Sequence, residues 1–320
     1  MTGRKPFRIV VAEPFGQEAL VGLEAVGEVT VLKDPAPETL IAAVQEADAL
    51  LIRAKAHVTA RIIDSAPRLK VIGRASPTMD HIDLRAASQR AIHVVYSPHA
   101  AVRASAEFTL GLILALQRRI LFYDRQFRQG QFQALRLPTG RELGQCTVGL
   151  LGVDHVSGEL GRMISSAFGS RLIYHCPGGR RFSTFEAEAV DLDTLLAEAD
   201  VLSVHLRLTP QTKGLLNADR FIRMKSSAIL VNTSRGAVVD TMALAVALKR
   251  RHIAGAALDV FETEPLQADH PLRQAPHCIL TPHVAGATLD AVSRRYQVAQ
   301  DVVRVLKGES PRYPFILPTA

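Results

Sequence analysis

The sequence predicts an α/β protein built on doubly wound parallel sheets. Short apolar runs of strand length recur along the chain, and segments of helical spacing separate them. Runs that are apolar throughout, rather than alternating, suit strands covered on both faces. At 320 residues the chain is too long for one compact core, so two such domains are expected.

In chain order, Phe7 to Ala12 reads as a strand, Gln17 to Val26 as a helix, Val29 to Leu32 as a strand and Pro37 to Glu46 as a helix. Ala49 to Arg53 and Leu69 to Gly73 are buried strands with a helix from about Thr59 to Ser65 between them, and His93 to Tyr96 is a further strand. The pattern then changes to one long Leu- and Ala-rich helix, Ala101 to Phe127, which places a domain boundary near Ala100. A second strand series follows at Cys146–Leu151, Arg171–Tyr174, Val201–His205, Ala228–Asn232, Ile253–Leu258 and Cys278–Leu280, with a helix from Glu159 to Phe168. One last helix is expected from about Leu289 to Lys307.

Composition narrows the class. A hydrophobic fraction of 48% and a charged fraction of 22% are those of a soluble globular protein. No run approaches the ~20 apolar residues of a membrane helix, so no membrane role is expected. The opening Met1-Thr2-Gly3-Arg4-Lys5-Pro6 has no apolar signal segment. Cys146, Cys176 and Cys278 are scattered without metal-ligand spacing, which predicts no metal and a reducing cytoplasm. The net charge of +7 is spread along the chain, which fits small anionic metabolites and argues against nucleic acid.

The loop after Leu151 has the context of a nucleotide site, because it follows a strand and opens a helix. A G-x-G-x-x-G sequence there makes the tight turn, admits the pyrophosphate and lets helix and strand pack. This chain reads Gly152-Val153-Asp154-His155-Val156-Ser157. Gly152 is kept, Asp154 stands at the second position and Ser157 at the third. A carboxylate ~5 Å from a phosphate charge costs on the order of 3 kcal/mol at an effective dielectric near 20. The acid that usually takes the ribose is replaced by His175, and Arg180 and Arg181 follow. An ordinary strand–helix turn without a ligand is the competing reading.

Three later residues end strands of the same series. Arg235 follows Val231-Asn232-Thr233-Ser234, Glu264 follows Leu258-Asp259-Val260-Phe261, and His283 follows Thr281-Pro282. A guanidinium grips a carboxylate by two hydrogen bonds. An imidazole backed by a carboxylate donates and accepts protons near neutral pH. Taken singly, a surface ion pair explains the arginine and a loop hydrogen bond the histidine.

On Asn232–Asp240, Gly255–Pro265 and Thr281–Thr288 the chain resembles the D-isomer-specific 2-hydroxyacid dehydrogenases, and the likeness runs over nearly its whole length. The resemblance implies two Rossmann-like domains. A flavodoxin-like substrate domain would comprise residues 1–100 and 287–320, and a dinucleotide-binding domain residues 101–286. It implies that Arg235 binds the 2-oxo acid carboxylate and polarises its carbonyl, that His283 is the acid/base with Glu264 as its partner, that Asp259 contacts the nicotinamide carboxamide, and that Thr233 binds the cofactor. A homodimer formed through the long helix is implied as well.

Leu51-Ile52-Arg53, Leu69–Ala75 and Asp80–Leu84 are similar to the phosphoglycerate dehydrogenase branch, in a short form without a regulatory domain. There Arg53 and Arg74 would hold the substrate. The departures fall on ligand loops: Ser76-Pro77-Thr78-Met79 replaces a glycine-rich substrate loop, Tyr96–Ala101 lacks two Asn, and Arg207 replaces a Pro and is expected to face the cofactor cleft. Two classes stay open. One is a dehydrogenase using NAD or NADP on a small 2-hydroxy acid. The other is a catalytically weak relative that binds a small anion or a protein partner.

Overall fold

The computed structural model describes residues 6–53, 55–132, 140–182 and 185–316. Met1–Lys5, part of the opening segment considered above, lie outside them. The chain divides into two compact units, Met1–Ala101 with Thr288–Ala320, and Val102–Ala287.

The elements run β1 (Phe7–Val11), α1 (Gln17–Glu24), β2 (Gly27–Val31), α2 (Pro37–Val44), β3 (Ala49–Ile52), α3 (Ala60–Asp64), β4 (Val71–Arg74), α4 (Leu84–Gln89) and β5 (His93–Tyr96). They continue with α5 (Val102–Gln117), α6 (Ile120–Arg128), β6 (Thr147–Leu151), α7 (His155–Phe168), β7 (Arg171–His175), β8 (Glu188–Ala189), α8 (Leu192–Glu198) and β9 (Val201–Val204). The last are α9 (Ala218–Arg223), β10 (Ile229–Asn232), α10 (Thr241–Lys249), β11 (Gly255–Leu258), β12 (Cys278–Leu280), α11 (Leu289–Tyr296) and α12 (Val298–Leu306).

In the first unit the strands pair in parallel in the order β2-β1-β3-β4-β5, with Ile9 opposite Ala49, Ala49 opposite Val71 and Val71 opposite His93. Side chains of a strand alternate between faces, so this register fixes two layers. Leu50, Ile52, Ile72 and Val94 pack with Leu40 and Val44 of α2 and with Ile62 and Ile63 of α3. Ile9, Val11, Leu51, Val71 and Val95 pack with Leu23 of α1 and with Val298, Val302 and Leu306 of α12. Each such burial contributes about 2 kcal/mol. At Gly73 a Cβ would stand 2.7 Å from Val302 Cγ2, so the absence of a side chain lets α12 close onto β4. The tail is tied back by Asp301, which accepts from the Arg312 and Tyr313 N–H groups at 2.8 and 2.9 Å.

The second unit has an all-parallel sheet in the order β12-β11-β10-β9-β6-β7-β8. From β6 the chain builds outward to β7 and β8, then returns to lay β9 on the other side of β6. That reversal is the switch point at which sheets of this type bind ligands, at the carboxyl ends of the strands. Val148 and Leu150 pack with Ala106 and Ile113 of α5 and with Leu160 and Ile164 of α7. Leu151, Val204, Leu230 and Leu258 pack with Leu195 of α8, Phe221 of α9 and Leu244 of α10.

Three of the expected helices differ in the structure. The helix expected over Ala101–Phe127 is two, because Arg119 takes a left-handed conformation (φ 51°) between α5 and α6. No Gly or Pro announces that break; the Arg119 guanidinium lies 4.6 Å from the Phe122 ring and also contacts His277. The helix expected over Leu289–Lys307 is likewise divided at Gln297 into α11 and α12. The third is α7, which begins at His155 rather than Glu159 because Asp154 caps it. Helices α4, α8, α9, α10 and α11 are capped in the same way by Asp83, Asp191, Asn217, Asp240 and Thr288. Each cap contributes about 1 kcal/mol. Among the described residues no helix is long and apolar enough to cross a membrane.

Candidate active site

The carboxyl ends of β10, β11 and β12 carry Arg235, Glu264 and His283. Buried Asn232 ends β10 and shapes the loop after it. Its Oδ1 accepts from the Ser234 N–H at 3.0 Å and the Ser234 hydroxyl at 2.9 Å, and its Nδ2 donates to the Arg235 carbonyl at 3.0 Å. Gly236 follows because the loops after β10 and β11 touch there: a Cβ would lie 1.9 Å from the Phe261 carbonyl carbon. The Arg235 side chain is exposed, donates only to its neighbour Ser234 O at 2.7 Å, and makes no ion pair among the described residues. Its remaining donors are available to an anion. Thr233 is half-buried, and its hydroxyl is 2.8 Å from the Thr109 hydroxyl of α5.

The structure brings Glu264 and His283 together. Glu264 Oε2 is 2.8 Å from His283 Nδ1, while Oε1 accepts from the Phe261 N–H at 3.1 Å. A carboxylate on Nδ1 leaves Nε2 as the ring atom presented outward. His283 sits at φ 55°, a left-handed backbone that a non-glycine residue holds only when its surroundings impose it. The surroundings here are Asp259, wholly buried after β11. Its Oδ1 accepts from the Thr281 hydroxyl at 2.6 Å and the Val284 N–H at 2.9 Å, and its Oδ2 accepts from the Ala285 N–H at 2.8 Å. Asp259, expected beside the nicotinamide, therefore grips both flanks of the histidine. Asn232 and Gly236 were not singled out from the sequence, although the Asn-x-x-Arg-Gly spacing was the signal for both.

At the switch point, Gly152 adopts φ 109°, and a Cβ there would meet the His205 carbonyl oxygen at 2.6 Å, so the turn requires glycine. Asp154 and Ser157 form a reciprocal capping box. Asp154 Oδ1 accepts from the Ser157 N–H at 2.7 Å, and Ser157 Oγ accepts from the Asp154 N–H at 2.8 Å. What reads as a damaged glycine loop is a paired substitution that completes the helix end. His155 is the first helical residue, and Val156, the second, packs from α7 against the core. His205 is buried with Nε2 2.8 Å from Ser203 Oγ and Nδ1 3.8 Å from Asp154 Oδ1. Burial drives its imidazole toward the neutral form, against the pull of the Asp154 carboxylate. His175 ends β7 with Nδ1 3.0 Å from the Val190 carbonyl oxygen. Arg180, Arg181 and Arg207 are exposed, and none of them pairs with Asp154 among the described residues.

The first unit holds the residues expected at the substrate. Arg53 donates through Nη1 to Pro14 O at 2.7 Å and lies 5.7 Å from the Tyr296 ring centroid. Arg74, only 3% exposed, donates through Nε to Thr78 O at 3.2 Å, and its Nη1 is buried with no hydrogen-bond partner. Burial pulls this guanidinium below its ordinary value, against the Glu13 and Asp80 carboxylates. In the loop, the Ser76 N–H donates to Arg74 O at 2.8 Å, Pro77 has no N–H, and the Thr78 N–H reaches Ser76 Oγ at 3.3 Å.

The features fit a nicotinamide dinucleotide at the Gly152 turn and at the strand ends carrying Thr233 and His283. The fit is altered at the helix end, where Asp154 stands. Among the described residues no cluster of His, Cys, Asp or Glu suits a metal ion.

Comparison with known proteins agrees. Residues 110–285 match the family described as D-isomer specific 2-hydroxyacid dehydrogenase, NAD binding domain. A glyoxylate reductase of Thermofilum pendens is 42% identical over 285 residues, covering 87% of this chain and 84% of that one. A D-3-phosphoglycerate dehydrogenase of Archaeoglobus fulgidus is 36% identical over 315 residues, 98% of this chain but 60% of that one. The solved structure of an NADPH-dependent glyoxylate/hydroxypyruvate reductase from Sinorhizobium meliloti, in complex with NADP and malonate, is 25% identical with a TM-score of 0.80. The alignment covers 98% of this chain and 97% of that one. The chain therefore belongs to the D-isomer specific 2-hydroxyacid dehydrogenase family and is an oxidoreductase acting on CH–OH with a nicotinamide cofactor.

Proposed function

We propose that the chain reduces a short 2-oxo acid of the glyoxylate and hydroxypyruvate type to its D-2-hydroxy acid. The observation that carries this is the Glu264–His283 contact of 2.8 Å, with Nε2 left for substrate. A bound nicotinamide supplies the hydride in this direction and accepts it in the other. Arg235 grips the substrate carboxylate and draws charge from the carbonyl as it reduces. His283 Nε2 gives its proton to the forming hydroxyl, and Glu264 stabilises and orients the ring through Nδ1. Asp259 holds the loop that presents His283.

The substrate size rests on relatives named for glyoxylate and hydroxypyruvate and on the loop at Ser76, Pro77 and Thr78, whose own bonds leave few backbone donors for a larger anion. A phosphorylated three-carbon acid is the second reading, favoured by the Arg53 guanidinium, which spends one donor on Pro14 and retains others. In this reading residues 1–100 and 287–320 bind substrate, and residues 101–286 bind the dinucleotide. His175, Arg180 and Arg181, with no acid at the ribose position, support NADP alongside NAD.

A homodimer accounts for α6, which has no buried residue and leaves Ile120, Leu121 and Phe127 exposed. Three free thiols fit a cytoplasmic setting. The test is consumption of NADH and of NADPH with glyoxylate, hydroxypyruvate and 3-phosphohydroxypyruvate, repeated with Arg53→Ala. Loss confined to the phosphorylated acid would select the second reading. No turnover with any of the three would overturn both.

A further inference from the structure

The end of α7 departs from a phosphate cradle in a specific way. A helix following the first strand of a doubly wound sheet ordinarily offers its first-turn N–H groups and its partial positive charge to a ligand's pyrophosphate. Here an anion belonging to the chain already stands at that end. Asp154 Oδ1 accepts the Ser157 N–H at 2.7 Å. Ser157, wholly buried, returns the bond by accepting the Asp154 N–H at 2.8 Å and donates to the Asp154 carbonyl at 3.1 Å. The carboxylate thus has one preferred seat and is held there from two sides. It is also not cancelled. Its one ion-pair contact among the described residues is the His205 imidazole at 3.8 Å, itself 1% exposed. A third of the Asp154 side chain remains accessible (33%), so its charge faces the approach to the helix end.

We infer that Asp154 is a resident competitor of the cofactor's pyrophosphate, held at the α7 N-terminus by Ser157, and that it sets the dinucleotide affinity of this chain low. The inference rests on the nicotinamide reading above and deepens it. The Ser157 N–H is committed to Asp154, and the carboxylate and the pyrophosphate repel each other. Binding strength then comes from the nucleoside and nicotinamide ends, and the cofactor exchanges quickly.

The experiment is calorimetric titration of the full-length chain with NADH, NADPH, ADP and adenosine; the absence of Trp removes intrinsic Trp quenching as a readout. ADP carries the pyrophosphate and adenosine does not. The decisive variant is Asp154→Asn, whose side-chain oxygen still caps the Ser157 N–H while the charge is gone. The double variant Asp154→Gly with Ser157→Gly removes both box and charge.

Like charges a few ångström apart at an effective dielectric near 20, discounted for partial exposure, correspond to about 10- to 100-fold in affinity. D154N is therefore expected to bind NADH and ADP about 10- to 100-fold more tightly than the unaltered chain, with adenosine within about twofold. The ratio should shrink as salt is raised, because screening weakens a repulsion between partly exposed charges. Melting of D154N within a few degrees of the parent shows that the cap survives.

ADP and NADH affinities unchanged in D154N, while the parent binds NADH, overturn the inference and leave the nicotinamide reading standing. Gains equal for ADP and adenosine also overturn it, since the effect would then not lie at the phosphates. Absence of NADH and NADPH binding by every form up to millimolar concentration would remove the nicotinamide reading, and the inference with it.

Discussion

Asparagine at position 259 tests how the acid/base residue is held. The Asp259 carboxylate is wholly buried and receives three donors, the Thr281 hydroxyl and Val284 N–H on Oδ1 and the Ala285 N–H on Oδ2. Asparagine keeps the shape and the better placed of its two rotamers keeps Oδ1. Its amide nitrogen then points an N–H at the Ala285 N–H. One charge-assisted bond is lost, worth about 1.5–3 kcal/mol, and a buried donor is left unmatched. About 3 kcal/mol is an upper limit, because the loop can detach locally before the unit unfolds. If the whole unit feels the loss, the melting temperature falls by about 6–12 °C for a domain of this size. Once the loop is released, nothing imposes the left-handed backbone of His283 (φ 55°), and the ring leaves Glu264. A displacement of about 1 Å at a reacting group costs about 100-fold in rate. The assay is kcat and KM for glyoxylate reduction together with a thermal melt. A drop in kcat of about 100-fold with KM nearly unchanged is expected, because Arg235 sits on another loop, tied by Asn232. Retention of kcat within twofold and of the melting temperature within a degree would refute the claim that Asp259 holds the His283 loop.

Glu264→Gln keeps a partner for Nδ1 but removes its charge. With both side chains partly exposed, the lost attraction is about 1–2 kcal/mol, a fall in kcat of about 5- to 30-fold with KM little altered, read by steady-state kinetics. Gly236→Ala places a Cβ 1.9 Å from the Phe261 carbonyl carbon, so soluble yield and activity should both collapse, checked by expression and melting. Acid should unfold the second unit through Asp200. Burial pushes this carboxyl up, but the Thr147 N–H at 2.9 Å and the Lys225 ammonium at 3.0 Å outweigh it, with Arg141 adding to them, so its value is held below the ordinary one. The folded form therefore binds this proton less readily than the unfolded form. The stability it contributes is complete above the unfolded value of about 4 and is lost as pH falls through the lower folded value. Asp200→Asn should flatten that acid limb in a pH series of thermal melts.

The layered fold was legible because covered parallel strands write themselves as continuous apolar runs, and their order follows from the alternation with helices. The positions of Arg235, Glu264 and His283 were legible because each lies a few residues past such a run, where strand ends face ligands. The breaks at Arg119 and Gln297 were not, since no Gly or Pro stands at either. Nor was the work of Asp259. A residue just after a strand can point to a ligand or to its own neighbouring loop, and only the placement of Thr281, Val284 and Ala285 decides which.

The substitutions at the two ligand loops share a physical character that single positions conceal. Read one at a time, Asp154, Ser157, Ser76, Pro77 and Thr78 each replace freedom or an open donor with something worse for binding. Read in pairs they complete one another. Asp154 and Ser157 exchange bonds three residues apart at a helix end, and the Thr78 N–H turns back on Ser76 Oγ two residues away. A backbone N–H that no ligand takes must find another partner or remain a cost, and short polar side chains at these spacings are the cheapest partner a chain can supply. Each loop thus spends one backbone N–H on a side chain of its own. On the proposed function, ligand recognition falls to side chains with unspent donors, Arg235 in the second unit and Arg74, whose Nη1 is buried without a hydrogen-bond partner, in the first. Guanidinium groups recognise carboxylates by geometry as well as charge. On that reading, recognition that rests on arginines rather than backbone cradles lets the chain keep the reaction of its family with a looser hold on the phosphates of the cofactor.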